Sequence, residues 1–251
     1  MKKGTIIAIA VLLLLTGGAL VVFANIWASG LTVSSIQVVG NAMVDKNEIL
    51  QLAQVTPGTR LGDLDLMEIQ RNVGSHYYFR DVVVERDLPS TLRIRVFERS
   101  PLAIVSSGSL TYIDPDGIVL PRTLPRELFD LPVLSGVPSA ARLSAGERVT
   151  DPRVQEALQI LETAKEMGSG LYHSISEVQI QKGGDIVLYT AERGVPVLFG
   201  RGDVARKLVH FETFWNEIVS LRGPQQLGYV DLRFNDQIVV RWNDASRLRS
   251  L

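Results

Sequence analysis

The stretch LGYVDLRFNDQIVVRW, Leu227 to Trp242, carries two alternating runs separated by a polar break. In the first, Val230, Leu232 and Phe234 fall on one side, and Tyr229, Asp231 and Arg233 on the other. After Asn235-Asp236 the pattern resumes, with Ile238, Val240 and Trp242 opposed to Gln237, Val239 and Arg241. Two runs of period two joined by polar residues predict a β-hairpin with a polar turn. Its second strand is apolar and ends on a tryptophan. Such a strand must be covered, either by the core of its own chain or by another surface.

Working outward, RGDVARKLVHFETFWNEIVS, residues 201–220, predicts a helix with Asp203 at its start, and Val204, Leu208, Phe211, Trp215 and Ile218 on its apolar stripe. Before it, ISEVQIQ, DIVLYTA and VPVLFG predict strands. TDPRVQEALQILETAKEMG predicts a second helix, capped by Thr150 or Asp151, with Val154, Ala157, Leu158, Leu161 and Ala164 on one face. LAIVSS, LTYID and GIVLP predict short strands separated by Ser-Gly and Asp-Pro-Asp-Gly turns. RTLPRELFDLPVLSGVP, spaced by prolines, is expected to be an ordered loop. Residues 102–251 thus form a β-rich domain with two helices.

Residues 31–101 form an earlier block of a different kind. VSSIQVVGN predicts a strand. VDKNEILQLAQV predicts a helix with Asp45 as cap and Glu48 three residues on, and LDLMEIQRNVG a second with Asp65 and Glu68 in the same relation. YFRDVVVER and TLRIRVFER predict two strands joined by the turn DLPS. The order β-α-α-β-β lets two helices cover one face of a three-stranded sheet, an α+β domain. Arg86, Arg93, Arg95 and Arg99 lie on its last strands among Glu85 and Glu98. This mixture of signs reads first as a solvated face with cross-strand pairs. The other reading is a contact surface for lipid headgroups or a partner.

At the N-terminus MKK precedes a run with no charged residue from Gly4 to Ala24. About 20 apolar residues match the bilayer core. Residues 4–28, including Ile6, Leu13 and Val21, are expected to be a single transmembrane helix. A cleaved signal peptide is the rival, and its apolar region is usually about 7–15 residues, shorter than this run. Lys2 and Lys3 in a tail of residues 1–3 would stay cytoplasmic, with the bulk of the chain outside the cytoplasm.

Composition narrows the function. The 251 residues carry 26 basic and 27 acidic side chains, a net charge of −1, against the basic excess that nucleic-acid binding uses. There is no cysteine, so disulfides, thiolate metal sites and a cysteine nucleophile are excluded. His76, His173 and His210 have no metal-ligand spacing. Asp114-Pro-Asp116-Gly117 begins like a calcium loop but lacks the later carboxylates, and reads as a turn. The RGD within Gly200–Asp203 reads as a strand-to-helix corner with an Asp cap. Neither a G-x-S-x-G elbow nor a glycine-rich phosphate loop is present. No catalytic site, metal, cofactor or small-molecule substrate is expected. An envelope hydrolase would need a constellation that these residues do not supply.

The order of segments resembles the FtsQ/DivIB family of bacterial division proteins. IQVVGNAMVDKNEIL and PSTLRIRVFERSPLAIV are similar to that family's POTRA domain. YIDPDGIVL, LPVLSG, FGRGDVARKLVHF and YVDLRF…VVRW are similar to its C-terminal domain. The resemblance implies an essential-type, non-enzymatic scaffold of the septum, single-pass in the cell inner membrane with its bulk outside the cytoplasm. Its implied partners are FtsB-like and FtsL-like proteins. It also implies an exposed terminal edge strand to which the FtsB-like partner adds a strand. Phe234 and Trp242 fall where the family carries aromatics. Arg233, Asp236, Gln237 and Arg241 are then expected to pair with partner side chains, and Val239 and Val240 to line the edge. Trp242 also reads as a core residue closing the sheet, since Ile238 and Val240 share its face. An alternative is a POTRA-bearing chaperone of outer-membrane assembly or secretion. That reading needs about ten alternating barrel strands, which are not in the sequence.

Overall fold

The computed structural model describes residues 3–106, 110–122, 130–138, 140–235 and 237–243, without the side chains of 3, 5–8, 10, 23–29, 110 and 141. The chain divides into two compact units, Met1–Glu98 and Arg99–Leu251.

The first unit opens with α1, Lys3–Ser29. Among the described residues no helix is long and apolar enough to cross a membrane. Leu13 and Val21 are exposed, and the Ile6 side chain lies outside the described residues. Then come β1 (Ser35–Val39), α2 (Lys46–Ala53), α3 (Leu66–Gly74), β2 (Phe79–Asp87) and β3 (Thr91–Glu98), in the expected β-α-α-β-β order. Asp45 caps α2 by accepting from the Asn47 amide at 2.8 Å, and Asp65 caps α3 by accepting from Met67 and Glu68 at 3.0 Å each. The sheet order is β1-β3-β2, with β1 parallel to β3 and β2 antiparallel. Ile49, Ala53, Ile69 and Val73 from the helices are buried, as are Val82, Leu92, Ile94 and Val96 from the strands.

The arginines do not act as one basic patch. Arg93 pairs with Asp87 at 2.5 Å and Arg95 with Glu85 at 3.8 Å. Arg86 donates to the carbonyls of Leu61 and Leu64, and Arg99 to Asp114 and Asp116. Glu98 accepts from the amides of Ala42, Met43 and Val44 at 2.8–3.0 Å, which anchors the turn after β1.

The second unit is a nine-stranded sheet. Its elements are β4 (Ala103–Ser106), β5 (Leu110–Ile113), β6 (Val119–Leu120), β7 (Val133–Ser135), α4 (Pro152–Glu166), β8 (Ile175–Ile180), β9 (Ile186–Thr190), β10 (Pro196–Gly200), α5 (Val204–Phe214), α6 (Ser220–Arg222), β11 (Leu227–Asp231) and β12 (Val239–Trp242). Their spatial order is β12-β11-β10-β9-β8-β7-β4-β5-β6. Neighbours β7/β8 and β10/β11 run parallel, and parallel neighbours need a crossover. The two predicted helices are those crossovers. Asp151 caps α4 through the Arg153 amide at 2.9 Å, and all five predicted α4 face residues are buried, with Ile160 besides.

Three expectations are corrected. The proline-spaced stretch is not simply a loop. Val133–Ser135 is an internal strand, parallel to both β4 and β8. Three residues are too few to show period two, and Pro132 beside them reads as a breaker. Residues 123–129 of that stretch lie outside the described ones. Asp203 makes no capping bond. Its backbone is left-handed, φ 54°, and its carboxylate pairs with Arg206 at 2.6 Å. Lastly, α5 runs into a π turn over Trp215–Val219. The wider turn advances the buried position by one, so Val219 is buried and Ile218 is exposed.

Candidate partner-binding edge

The two ends of the large sheet are treated differently. Beyond β6, the segment 146–149 closes the edge. Ile118 bridges Arg148, the Val119 amide donates to Glu147 at 2.9 Å, and the Gly146 amide donates to Val119 at 2.8 Å. Beyond β12 no strand pairs, among the described residues. An uncovered edge presents a row of backbone donors and acceptors.

Which groups of β12 point outward follows from its register. Tyr229, Val230 and Asp231 of β11 oppose Arg241, Val240 and Val239. The Asn243 amide donates to Gln226 at 2.6 Å. Amides alternate along a strand, so those of Arg241 and Val239 turn toward β11, and those of Val240 and Trp242 turn outward. The register slips between Leu227 and Tyr229, a bulge at Gly228 that adds twist at the Trp242 end.

The hairpin is shorter than predicted. β11 stops at Asp231, and Leu232 leaves the ladder with β12 to donate to Leu198 of β10 at 2.9 Å. Among the described residues, 232–235 and 237–238 lie outside both strands, in place of a tight turn. Val230 and Leu232 are buried, while Phe234, expected on their stripe, is 48% exposed. Asp236 lies outside the described residues. Gln237 and Arg241 are exposed, and Val239 and Val240 are half-buried. Trp242 is also half-buried. It packs with Ile238 and Val240 against the core, and the Arg222 guanidinium sits 5.3 Å from its ring centre. Phe234 thus stands off the core, and Trp242 stands partly on it.

Arg233 is exposed but engaged. It gives Asp231 its amide at 3.0 Å, Nε at 2.9 Å and a terminal nitrogen at 2.6 Å. Asp231 itself is buried. The paired guanidinium holds the Asp231 carboxyl below the usual carboxylate range, against the opposing effect of burial. Asp151 behaves alike. Its side-chain bonds from Arg153 lower it to about 2. A carboxylate with a depressed native pKa adds stability above its unfolded value, about 3.9, and loses it as pH falls through the native value. The thermal midpoint is therefore expected to fall between about pH 4 and pH 2. Asp151→Asn should flatten part of that slope in a scan of midpoint against pH.

Sequence reading missed four residues around this edge. Lys207 is buried, and its Nζ donates to the carbonyls of Phe199 at 2.9 Å and Arg201 at 2.7 Å; burial lowers its pKa. Its place between Val204, Leu208 and Phe211 was the available signal. Gly200 and Arg206 lay in the FGRGDVARKLVHF stretch without an assigned role, and Arg222 gave no signal. Among the described residues no group of acidic or histidine side chains is arranged to hold a metal ion.

The family follows from sequence likeness. A model described as cell division protein FtsQ/DivIB, C-terminal, matches residues 103–233, and one for the POTRA domain, FtsQ-type, matches residues 31–99. This chain belongs to the FtsQ/DivIB family. Relatives described as cell division protein FtsQ include those of Geobacter sp. (strain M21), 30% identical over 84% of this chain and 76% of the relative, and of Syntrophotalea carbinolica, 32% identical over 86% and 76%. The FtsQ of Geotalea daltonii is 32% identical over 78% and 70%. FtsQ proteins are non-enzymatic divisome proteins, and the FtsQ-type POTRA match sets this chain with division rather than outer-membrane assembly. The C-terminal match ends at residue 233, so it stops before Phe234 and β12.

Proposed function

We propose that this FtsQ-family chain is a septal scaffold that holds an FtsB-like protein, with its FtsL-like companion, by strand addition to β12. The observation that carries this reading is the asymmetry of the large sheet, closed beyond β6 and, among the described residues, open beyond β12. Among the described residues the outer strands of the small sheet are β1 and β2; β2 is guarded by Arg80, Asp81, Glu85, Arg86 and Asp87, and charged edges resist pairing, whereas β1 is short and carries no charge. β12 reads Val-Val-Arg-Trp and has one charge. Added main-chain bonds give affinity there, and Phe234, Val239, Val240, Arg241 and Trp242 give specificity. Gln237 lies at the entry to the strand.

Anchoring in the inner membrane rests on the sequence, which carries no charged residue from Gly4 to Ala24. About 20 such residues suffice for a span. The bulk of the chain then lies outside the cytoplasm, where the partners are engaged. Co-purification of the full-length chain in detergent with the FtsB-like and FtsL-like proteins of the same genome tests the scaffold. A parent chain that retains neither sinks it. Orientation is tested separately. Because the chain has no cysteine, Phe234→Cys supplies the one thiol. A membrane-impermeant maleimide should label it once the outer envelope is permeabilised and the inner membrane is intact. Labelling only after lysis of the inner membrane would reverse the topology.

A further inference from the structure

The small sheet has its own outer strand in β1, which reads Ser-Ile-Gln-Val-Val from Ser35 to Val39. Beyond β1 no strand pairs, among the described residues. On its other side β1 runs parallel to β3, with Ile36 opposite Leu92 and Val38 opposite Ile94. The Ser35 amide donates to the Ser90 carbonyl at 3.4 Å, and the Ser34 amide, just before the strand, shares that carbonyl at 2.8 Å. Amides alternate along a strand, so those of Gln37 and Val39 also face β3, and the N–H and C=O groups of Ile36 and Val38 turn outward. The side chains divide as well. Ile36 and Val38 lie on the helix side, yet they stay half-buried, whereas Leu92 and Ile94 beside them are fully buried. Ser35, Gln37 and Val39 are exposed on the far face, where Arg93 Nε donates to the Gln37 side-chain oxygen at 3.3 Å. The core of this unit therefore runs out to an edge that no described strand covers.

We propose that β1 is a self-association edge, to which a second copy of this chain adds its own β1 antiparallel about a two-fold axis through Gln37. The strand is complementary to itself in that register. Ile36 of one copy opposes Val38 of the second copy, and each such pair exchanges two backbone bonds. The same pairs cover the half-buried Ile36 and Val38 side chains on the helix side. On the far face Ser35 meets Val39 of the second copy. The two Gln37 side chains meet at the axis, and each amide group carries both donors and an acceptor. No like charges are opposed, because β1 has none, whereas the charged β2 could not pair with itself in this way. An axis through Gln37 overlaps the whole strand, and a patch that matches itself is what a two-fold dimer requires. The two three-stranded sheets then join edge to edge. This inference goes beyond the scaffold reading and does not depend on β12.

The chain has no cysteine, so introduced thiols report on this pairing alone. In the proposed register residue 37 faces its own counterpart in a non-hydrogen-bonded pair, with Cα atoms about 4.5 Å apart. A disulfide spans that distance. Gln37→Cys in the full-length chain, oxidised in membranes with copper–phenanthroline, should run as a dimer on a non-reducing gel. Ser35→Cys lies on the same exposed face, but its counterpart sits about 13 Å away along the strand. It should give about tenfold less dimer, because that gap exceeds the reach of a disulfide. Combining Ser35→Cys with Val39→Cys should restore the dimer. Ile36→Pro removes an outward amide hydrogen and should abolish the Gln37→Cys dimer while the thermal midpoint stays within a few degrees of the parent. If Ile36→Pro does not fold, the comparison of positions 35 and 37 decides by itself. No dimer from folded Gln37→Cys, equal yields at 35 and 37, or a dimer that survives folded Ile36→Pro overturns the proposal. None of these results bears on β12, which co-purification with the FtsB-like protein tests separately.

Discussion

Val240→Pro is expected to weaken the FtsB-like partner at least about hundredfold while leaving the thermal midpoint within a few degrees of the parent. The substitution removes the amide hydrogen of a residue whose N–H points away from β11, as the Asn243 to Gln226 bond and the alternation of the strand require. Proline is tolerated on an edge strand when its nitrogen faces outward, and there it removes one ladder bond and obstructs a neighbouring chain. Val239→Pro is the control. Its amide faces β11, opposite Asp231. That change should break the hairpin itself and lower the midpoint. The pair is read by a binding titration and a melt of each purified full-length variant. Equal binding by the parent and Val240→Pro would mean that the partner docks elsewhere.

Phe234→Ala and Trp242→Ala should separate affinity from stability. Phe234 is 48% exposed and makes no part of the core, so its removal should leave the midpoint alone. Affinity should fall about thirtyfold, the loss of a central aromatic contact worth about 2 kcal/mol. Trp242 is half-buried against the core under Arg222. Trp242→Ala should cost about 2–3 kcal/mol of stability, less than the 3–5 of a fully buried tryptophan, and lower the midpoint by about 5–10 °C. Its affinity loss is then partly a loss of folded edge. A full-length chain whose stability is unchanged by Trp242→Ala would place that ring in solvent, against the packing described here.

Much of the fold was legible because its elements are long enough to show their period. The five elements from β1 to β3, the α4 face and strands β8 to β10 each carry a clear apolar repeat and a cap or turn residue at the end. What was missed has a physical cause in each case. β7 is three residues long and parallel to both neighbours, so it has no alternation to show. The π turn in the last helix shifts one buried position, which a fixed helical period cannot anticipate. Phe234 looked like the third member of a strand stripe, but the chain leaves the ladder after Asp231 because the Arg233 fork and the Leu232 bond to β10 hold it there. The edge was legible as an apolar strand; its openness depended on nine-stranded topology, which no single segment encodes. The engaged state of Arg233 was the least legible feature. A charged residue in an exposed hairpin reads as available, and only the approach of Gly200 and the burial of Asp231 show it bound within the chain.

The most direct measurement is amide protection along β12 when the FtsB-like partner is added to the full-length chain. The amides of Val240 and Trp242 point outward and have no partner strand among the described residues, so they should exchange readily in the free protein. Strand addition predicts that both become strongly protected in the complex, with little change at Val239 and Arg241, which already face β11. Binding that leaves Val240 and Trp242 unprotected would contradict the account and move the partner off the edge.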